Sequence, residues 1–353
     1  MHRKHRVLLH STPFRALVFL TAVTIGPAFA PAQPSAFDAY GLIRSVELPP
    51  GAGPFDVLAD GRLITLVGDA VWLETSAGSA VLSETGTLPS ADIGSSGAAF
   101  VRVSPDGLRF AAGNNGGVLF NNPQVGVFTL DSLAGTWFSL NHFDAAWMDD
   151  TRLAVTAGAF GSPGVVTVLD TTSPDPAQPL STTVIGNIGG ASGGVALDTS
   201  GFLYTGNGFS TLGPSGTGTV KAFPRASWEA ALAGGPPLDF ESTGTLIVDI
   251  LSASPLGFDA EGNLFVGGGD VPPDADFVAL VRGSAVAAAL TGAGPVDPAD
   301  PLLVRRLDPD PAGAAAFYSA LFNAATGELY VRDFADTTVY VYDTELDVPT
   351  LSQ

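Results

Sequence analysis

Short apolar runs alternate with Asp/Gly turns along this chain, and the same order returns six times. An apolar strand meets a turn at Asp60-Gly61, Asp106-Gly107, Asp149-Asp150, Ser200-Gly201, Glu261-Gly262 and Thr326-Gly327. A second strand follows each turn, as at residues 63–67, 203–205, 264–266 and 329–331. Repeats of this size denote a solenoid, propeller or array, and each unit divides into four strands, the make-up of a propeller blade. First strands are expected at 55–58, 99–103, 145–148, 195–198, 256–259 and 319–322. Third strands are expected at 70–74, 126–130, 165–170, 219–223, 277–282 and 338–343, and fourth strands at 79–82, 137–141, 182–185, 246–250 and 302–307. The sixth unit has no fourth strand, whereas residues 42–48 form a strand with no hairpin partner. Pairing that strand beside 338–343 removes two open edges and brings the chain ends together. The predicted fold is all-β: a six-bladed β-propeller of four-stranded antiparallel blades, spanning 42–345 and closed by its N-terminal strand.

Two units carry an insertion between third and fourth strands. Residues 226–234 and 283–292 each place a serine ahead of a run of helix formers and end on glycine, so each predicts a short helix with a serine cap and a glycine stop. The third unit instead carries Pro174-Asp-Pro-Ala-Gln-Pro179, a turn-forming cluster.

The first thirty residues depart from this pattern. A basic start (His2-Arg-Lys-His-Arg6), an apolar stretch from Ala16 to Ile25 and Ala28-Phe-Ala30 have the form of a secretory signal peptide, with a linker at 31–41. Cleavage removes four basic and no acidic residues, so the formal charge goes from −20 to −24. Lys221 and His142 are then the single lysine and histidine, and cysteine is absent. Such a surface disfavours nucleic acid and anionic membranes, which require clustered Lys/Arg. A three-histidine zinc site cannot be built, and Gly113-Asn-Asn-Gly-Gly117 and Gly267-Gly-Gly269 lack the G-K-[ST] of a phosphate loop.

In a propeller the loops leaving second strands and entering first strands share one face of the ring, which makes that face the place to look for a site. The first group carries Asp69, Asn114, Asn207, Asp270 and Asp333, and the second Asp92, His142, Asp144, Ser192, Ser254 and Tyr318. Asp69, Asn114, His142, Asp144, Asn207, Asp270 and Asp333 form the predicted ligand-binding face. Its oxygen donors suit Ca²⁺, with Asn114, Asn207, Asp270 and Asp333 as the expected ligands. The same residue types gather at strand ends as turn formers. His142 and Asp144 have no nucleophile on a strand-to-helix elbow beside them, so no catalytic residue is assigned.

Leu197-Asp-Thr-Ser-Gly-Phe-Leu-Tyr204 and Gly257-Phe-Asp-Ala-Glu-Gly-Asn-Leu-Phe265 resemble the hairpins of NHL-like and gluconolactonase-like six-bladed propellers. That resemblance implies a divalent ion at the channel mouth, in loops that correspond roughly to those of Asn114, Asn207, Asp270 and Asp333; the family's glutamate has no counterpart. The end of the chain, Val348-Pro-Thr-Leu-Ser-Gln353, resembles the opening of an IPTLS-type bacterial sorting signal, which makes 346–353 a tail. The expected function is a secreted or surface-associated, monomeric binding or scaffold module for a small molecule, glycan or protein, with a structural Ca²⁺. The alternative is a metal-dependent hydrolase or lactonase.

Overall fold

Second strands such as Leu63–Val67 are apolar at consecutive positions rather than at alternate ones, because both faces of each sheet are buried. The computed structural model describes residues 41–89, 99–114, 123–158, 163–189, 191–208, 218–250, 253, 255–268, 277–307, 318–333 and 337–343. Six antiparallel sheets stand in a ring. Blade 1 comprises Ala52–Val57, Leu63–Val67, Ala70–Glu74 and Leu82–Thr87; blade 2 comprises Phe100–Val103, Arg109–Gly113, Gln124–Thr129 and Gly135–Ser139. Blade 3 comprises Ala145–Trp147, Arg152–Ala157, Gly164–Asp170 and Ser181–Ile188; blade 4 comprises Ala191–Leu197, Leu203–Gly208, Gly218–Phe223 and Thr245–Ile250. Blade 5 comprises Leu256–Phe258, Leu264–Gly268, Phe277–Val281 and Val304–Leu307. Blade 6 comprises Tyr318–Asn323, Glu328–Asp333 and Thr338–Asp343, with Gly41–Glu47 as its fourth strand.

The core is divided among the seams between blades. Successive side chains of a strand point to opposite faces, so Leu63 packs toward blade 6 and Ile64 toward blade 2. Leu153 and Ala154, Leu203 and Tyr204, Leu264 and Phe265, and Leu329 and Tyr330 divide in the same way. The last seam joins Val46, Tyr330, Val339 and Val341 of blade 6 to Phe55 and Leu63 of blade 1, and closes the ring. Five of the six hairpin turns place glycine at positive φ (Gly61 +85°, Gly107 +68°, Gly201 +84°, Gly262 +77°, Gly327 +70°). The third has none; there Asp149 Oδ1 accepts the Thr151 and Arg152 amides, both at 2.8 Å.

Polar groups reinforce the closing seam. The N-terminal strand pairs antiparallel with Thr338–Asp343, with a bulge between Leu42 and Arg44. Arg44 reaches blade 1, donating through Nη1 to Glu74 Oε1 at 3.1 Å and through Nη2 to Tyr330 Oη at 3.2 Å. The Glu74 side chain is fully buried and also accepts the Leu63 and Ala80 amides. From blade 6, Asn323 donates to Leu58 O, Tyr330 to Gly61 O, and Arg332 to Gly53 O and Ala52 O.

Insertions reach backwards around the ring. The Asp-Pro segment of blade 3 offers Pro176 O to the Ser139 amide on the outer strand of blade 2 (2.9 Å). The blade 4 insertion adds Leu238–Asp239 as a parallel fifth strand to Ser181–Ile188 of blade 3. Val296, in the blade 5 insertion, bridges to Val248 on the outer strand of blade 4.

Two expectations are corrected. The fourth strand of blade 1 is Leu82–Thr87 rather than 79–82, because residues 75–81 fold into a tight loop: the Thr75 amide donates to Val81 O, and Ala80, at φ +55°, donates its amide to Glu74 Oε1. The helices, α1 (Arg225–Leu232) and α2 (Gly283–Leu290), begin earlier than their serines suggest, with Pro224 and Arg282 at the caps. Ser227 and Ser284 lie inside the first turns and make no capping bond; the glycine stops hold, with Gly234 at φ +99° and Gly292 at +96°.

Candidate functional site at the inner strands

The sheet register places three of the four expected cation ligands at one structural position. Val101 pairs with Ala112, Val195 with Thr205 and Ala320 with Val331. Asn114, Asn207 and Asp333 each follow two residues later, in alternate blades 2, 4 and 6. Asp69 occupies a two-residue hairpin turn with Gly68 (φ +59°) and is exposed. Asp92, Ser254 and Asp270 lie outside the described residues, and Ser192, Tyr318 and Asp333 are described by backbone alone.

Apart from Asp69, the members with described side chains are engaged in hydrogen bonds or an ion pair within the chain. Asn114, 2 % exposed, accepts the Gln124 amide on Oδ1 at 2.8 Å. Asn207 donates through Nδ2 to Gly189 O at 2.5 Å. His142, equally buried, places Nδ1 3.1 Å from Leu140 O and Nε2 against Asn114 O, with its ring edge-on to Phe100. Burial holds its pKa below the ordinary histidine value, against the pull of the Leu140 and Asn114 carbonyls. Its ring nitrogens face these carbonyls rather than Asp144, which pairs with Arg102. No three acidic or histidine side chains gather around one point among the described residues. Of the four expected ligands, Asn114 and Asn207 are bonded to backbone groups, and the side chains of Asp270 and Asp333 lie outside the described residues.

What the structure does bring together is Asp56, Arg102 and Asp144, on or beside the innermost strands of blades 1, 2 and 3. Arg102 donates through Nη2 to Asp144 Oδ1 (2.5 Å), through Nε to Ala145 O (2.9 Å) and through Nη1 to Val101 O (2.7 Å). Asp56 accepts the Val57 amide (2.7 Å) and, across the seam, the Val103 amide (2.5 Å). Trp147 Nε1 returns from blade 3 to Arg102 O at 2.8 Å. Asp144 thus pairs directly with the guanidinium, which acts on Asp56 only through its charge. Burial raises the pKa of both carboxyls, that of Asp56 to about 6, with Arg102 opposing the shift in each. The one signal for Asp56 and Arg102 in the sequence is a charge inside an otherwise apolar first strand, Phe55-Asp-Val57 and Val101-Arg-Val103.

The unfolded chain releases the Asp56 proton near pH 3.9, whereas the folded chain retains it to about 6. This contribution to stability is complete below the lower value and lost as pH rises through the upper one. Asp56→Asn removes it, so the melting temperature of the variant relative to wild type should rise between pH 4 and pH 7. A difference independent of pH would contradict the assignment.

No protein-family model matches the chain, and no curated protein is similar to it in sequence. Among solved structures, a chain in the crystal structure of the mitotic checkpoint complex is similar over 94 % of this chain and 98 % of its own, at 13 % identity and a TM-score of 0.50. A chain in the structure of U3-55K is similar over 86 % and 98 %, at 13 % identity and 0.48. The first likeness is one of fold. The resemblance to gluconolactonase-like propellers rests on the hairpin residues alone.

Proposed function

We propose that the chain is an exported binding scaffold, a rigid ring whose surface engages a partner. The carrying observation is the commitment of its chemically versatile side chains to structural bonds. His142 is wedged between two carbonyls, and Lys221 donates to Phe240 O at 2.7 Å and Glu241 O at 3.0 Å. Arg102 and Asp144 bind each other across a seam. A hydrolase needs such groups free to move a proton or polarise a substrate. Export rests on the form of residues 1–30.

Cross-linking mass spectrometry on the exporting cell tests this reading. A recurrent partner cross-linked to the ring is the expected result. Turnover of a lactone or ester panel that is lost in Asn207→Ala would overturn it in favour of the hydrolase alternative. A stabilising Ca²⁺ joins the proposal on the strength of the acidic surface: re-adding CaCl₂ after EDTA should raise the melting midpoint by mass action, and an unchanged midpoint removes the ion.

A further inference from the structure

Outer strands of propeller blades present unpaired amides and carbonyls, and proteins ordinarily cover or blunt such edges. The outer strand of blade 3 is paired over two residues by a fifth strand, those of blades 2 and 4 each receive a single contact from the insertion of the following blade, and those of blades 1 and 5 have no pairing strand among the described residues. On blade 6, no strand among the described residues pairs outside Gly41–Glu47. This edge also lacks most other protection. It contains no proline or lysine, and Arg44, its one basic residue, is turned inward onto Glu74. The bulge between Leu42 and Arg44 leaves Leu42 56 % and Ile43 48 % exposed side by side, and the remainder of the strand, through Glu47, pairs regularly. Val81, 57 % exposed, belongs to the blade 1 loop whose Ala80 amide reaches the same Glu74 that Arg44 binds.

Charge identifies the occupant. Glu47, at the end of this strand, is exposed and makes no ion pair among the described residues, its carboxylate accepting only the Thr337 and Thr338 hydroxyls. A second copy of a chain carrying a formal charge of −20 is repelled. A segment alternating apolar and basic residues is complementary to both the leucine–isoleucine pair and the Glu47 carboxylate. Blade 3, which already holds a fifth strand from elsewhere in the chain, shows that an outer edge of this ring can be extended.

We propose that the edge of Gly41–Glu47 receives an extended, apolar and basic segment of a partner protein as a fifth strand of blade 6, by β-strand addition; this rests on the binding-scaffold reading. The test is fluorescence anisotropy with a short labelled peptide alternating lysine and valine, at about 0.15 M salt so that long-range attraction is screened. The control peptide has the same sequence with alternate amides N-methylated, which preserves charge and blocks strand pairing. Saturable binding is expected to weaken by about tenfold or more for the methylated peptide, and likewise for Leu42→Ser/Ile43→Ser with an unchanged melting curve. Equal binding of the two peptides, equal binding by the double variant, or no saturable binding overturns the proposal. A partner cross-linked elsewhere on the ring, with no peptide binding here, defeats this inference and leaves the scaffold reading intact. Lactone turnover defeats that reading, and the anisotropy still decides the edge.

Discussion

Removing residues 1–47 should leave a chain that does not fold cooperatively. The deletion strips the fourth strand from blade 6, exposes the Thr338–Asp343 edge and withdraws Val46 from the seam with blade 1. It also removes Arg44, the cation facing Glu74. A circular permutant separates this loss from loss of the residues themselves. Asp343 pairs with Gly41, so a two-residue Asn-Gly hairpin can carry the chain from the third strand of blade 6 directly into Gly41–Glu47. A permutant beginning at Leu48 and ending at Glu47 should show a single cooperative melt close to that of the intact protein, and the deletion should show none. A cooperative melt for the deletion would mean that the ring is stable without its closing strand.

Arg44→Met is the single substitution expected to cost most at that seam. Its guanidinium reaches Glu74, Tyr330 and, at 3.9 Å, Glu328. Without it the Glu74 carboxylate remains buried with only the Leu63 and Ala80 amides as partners. Breaking a buried pair from one side typically costs about 3–5 kcal/mol, whereas replacing both partners can be near neutral. Chemical denaturation should therefore show a large loss for Arg44→Met and substantial recovery in Arg44→Met/Glu74→Leu. Equal losses in the two variants would place the effect in packing rather than in the stranded charge.

The fold was legible because each feature that sets it is local. Asp/Gly turns and an unpartnered strand at 42–48 are visible residue by residue, and the count of six follows from them. The fourth strand of blade 1 was misplaced because a polar stretch from Thr75 to Val81 has little periodicity, and its loop is held by Glu74, a side chain outside the stretch. The helix starts shifted because serine near an N-terminus is a cap only when the backbone places it there, and Pro224 and Arg282 took that place. The site was less legible for a related reason. Asn114 and His142 were found as strand-end polar residues, but their partners, the Gln124 amide and the Asn114 carbonyl, come from other strands and loops. Asp56 and Arg102 carry little signal in the sequence because their significance lies across a seam, 46 residues apart.

The backward reach of the insertions imposes an order of assembly. Blade 2 waits for Pro176, blade 3 for Leu238–Asp239 and blade 4 for Val296, so each outer edge stays open until part of the following blade has been made. Gly41–Glu47 has the longest wait, since its partner at 338–343 is the last strand of the ring to be synthesised. Long-range pairings of this kind slow folding and leave strand edges exposed meanwhile. The earliest of the described strands is thus the last to be placed, and the ring stays open until the whole of its chain has been made.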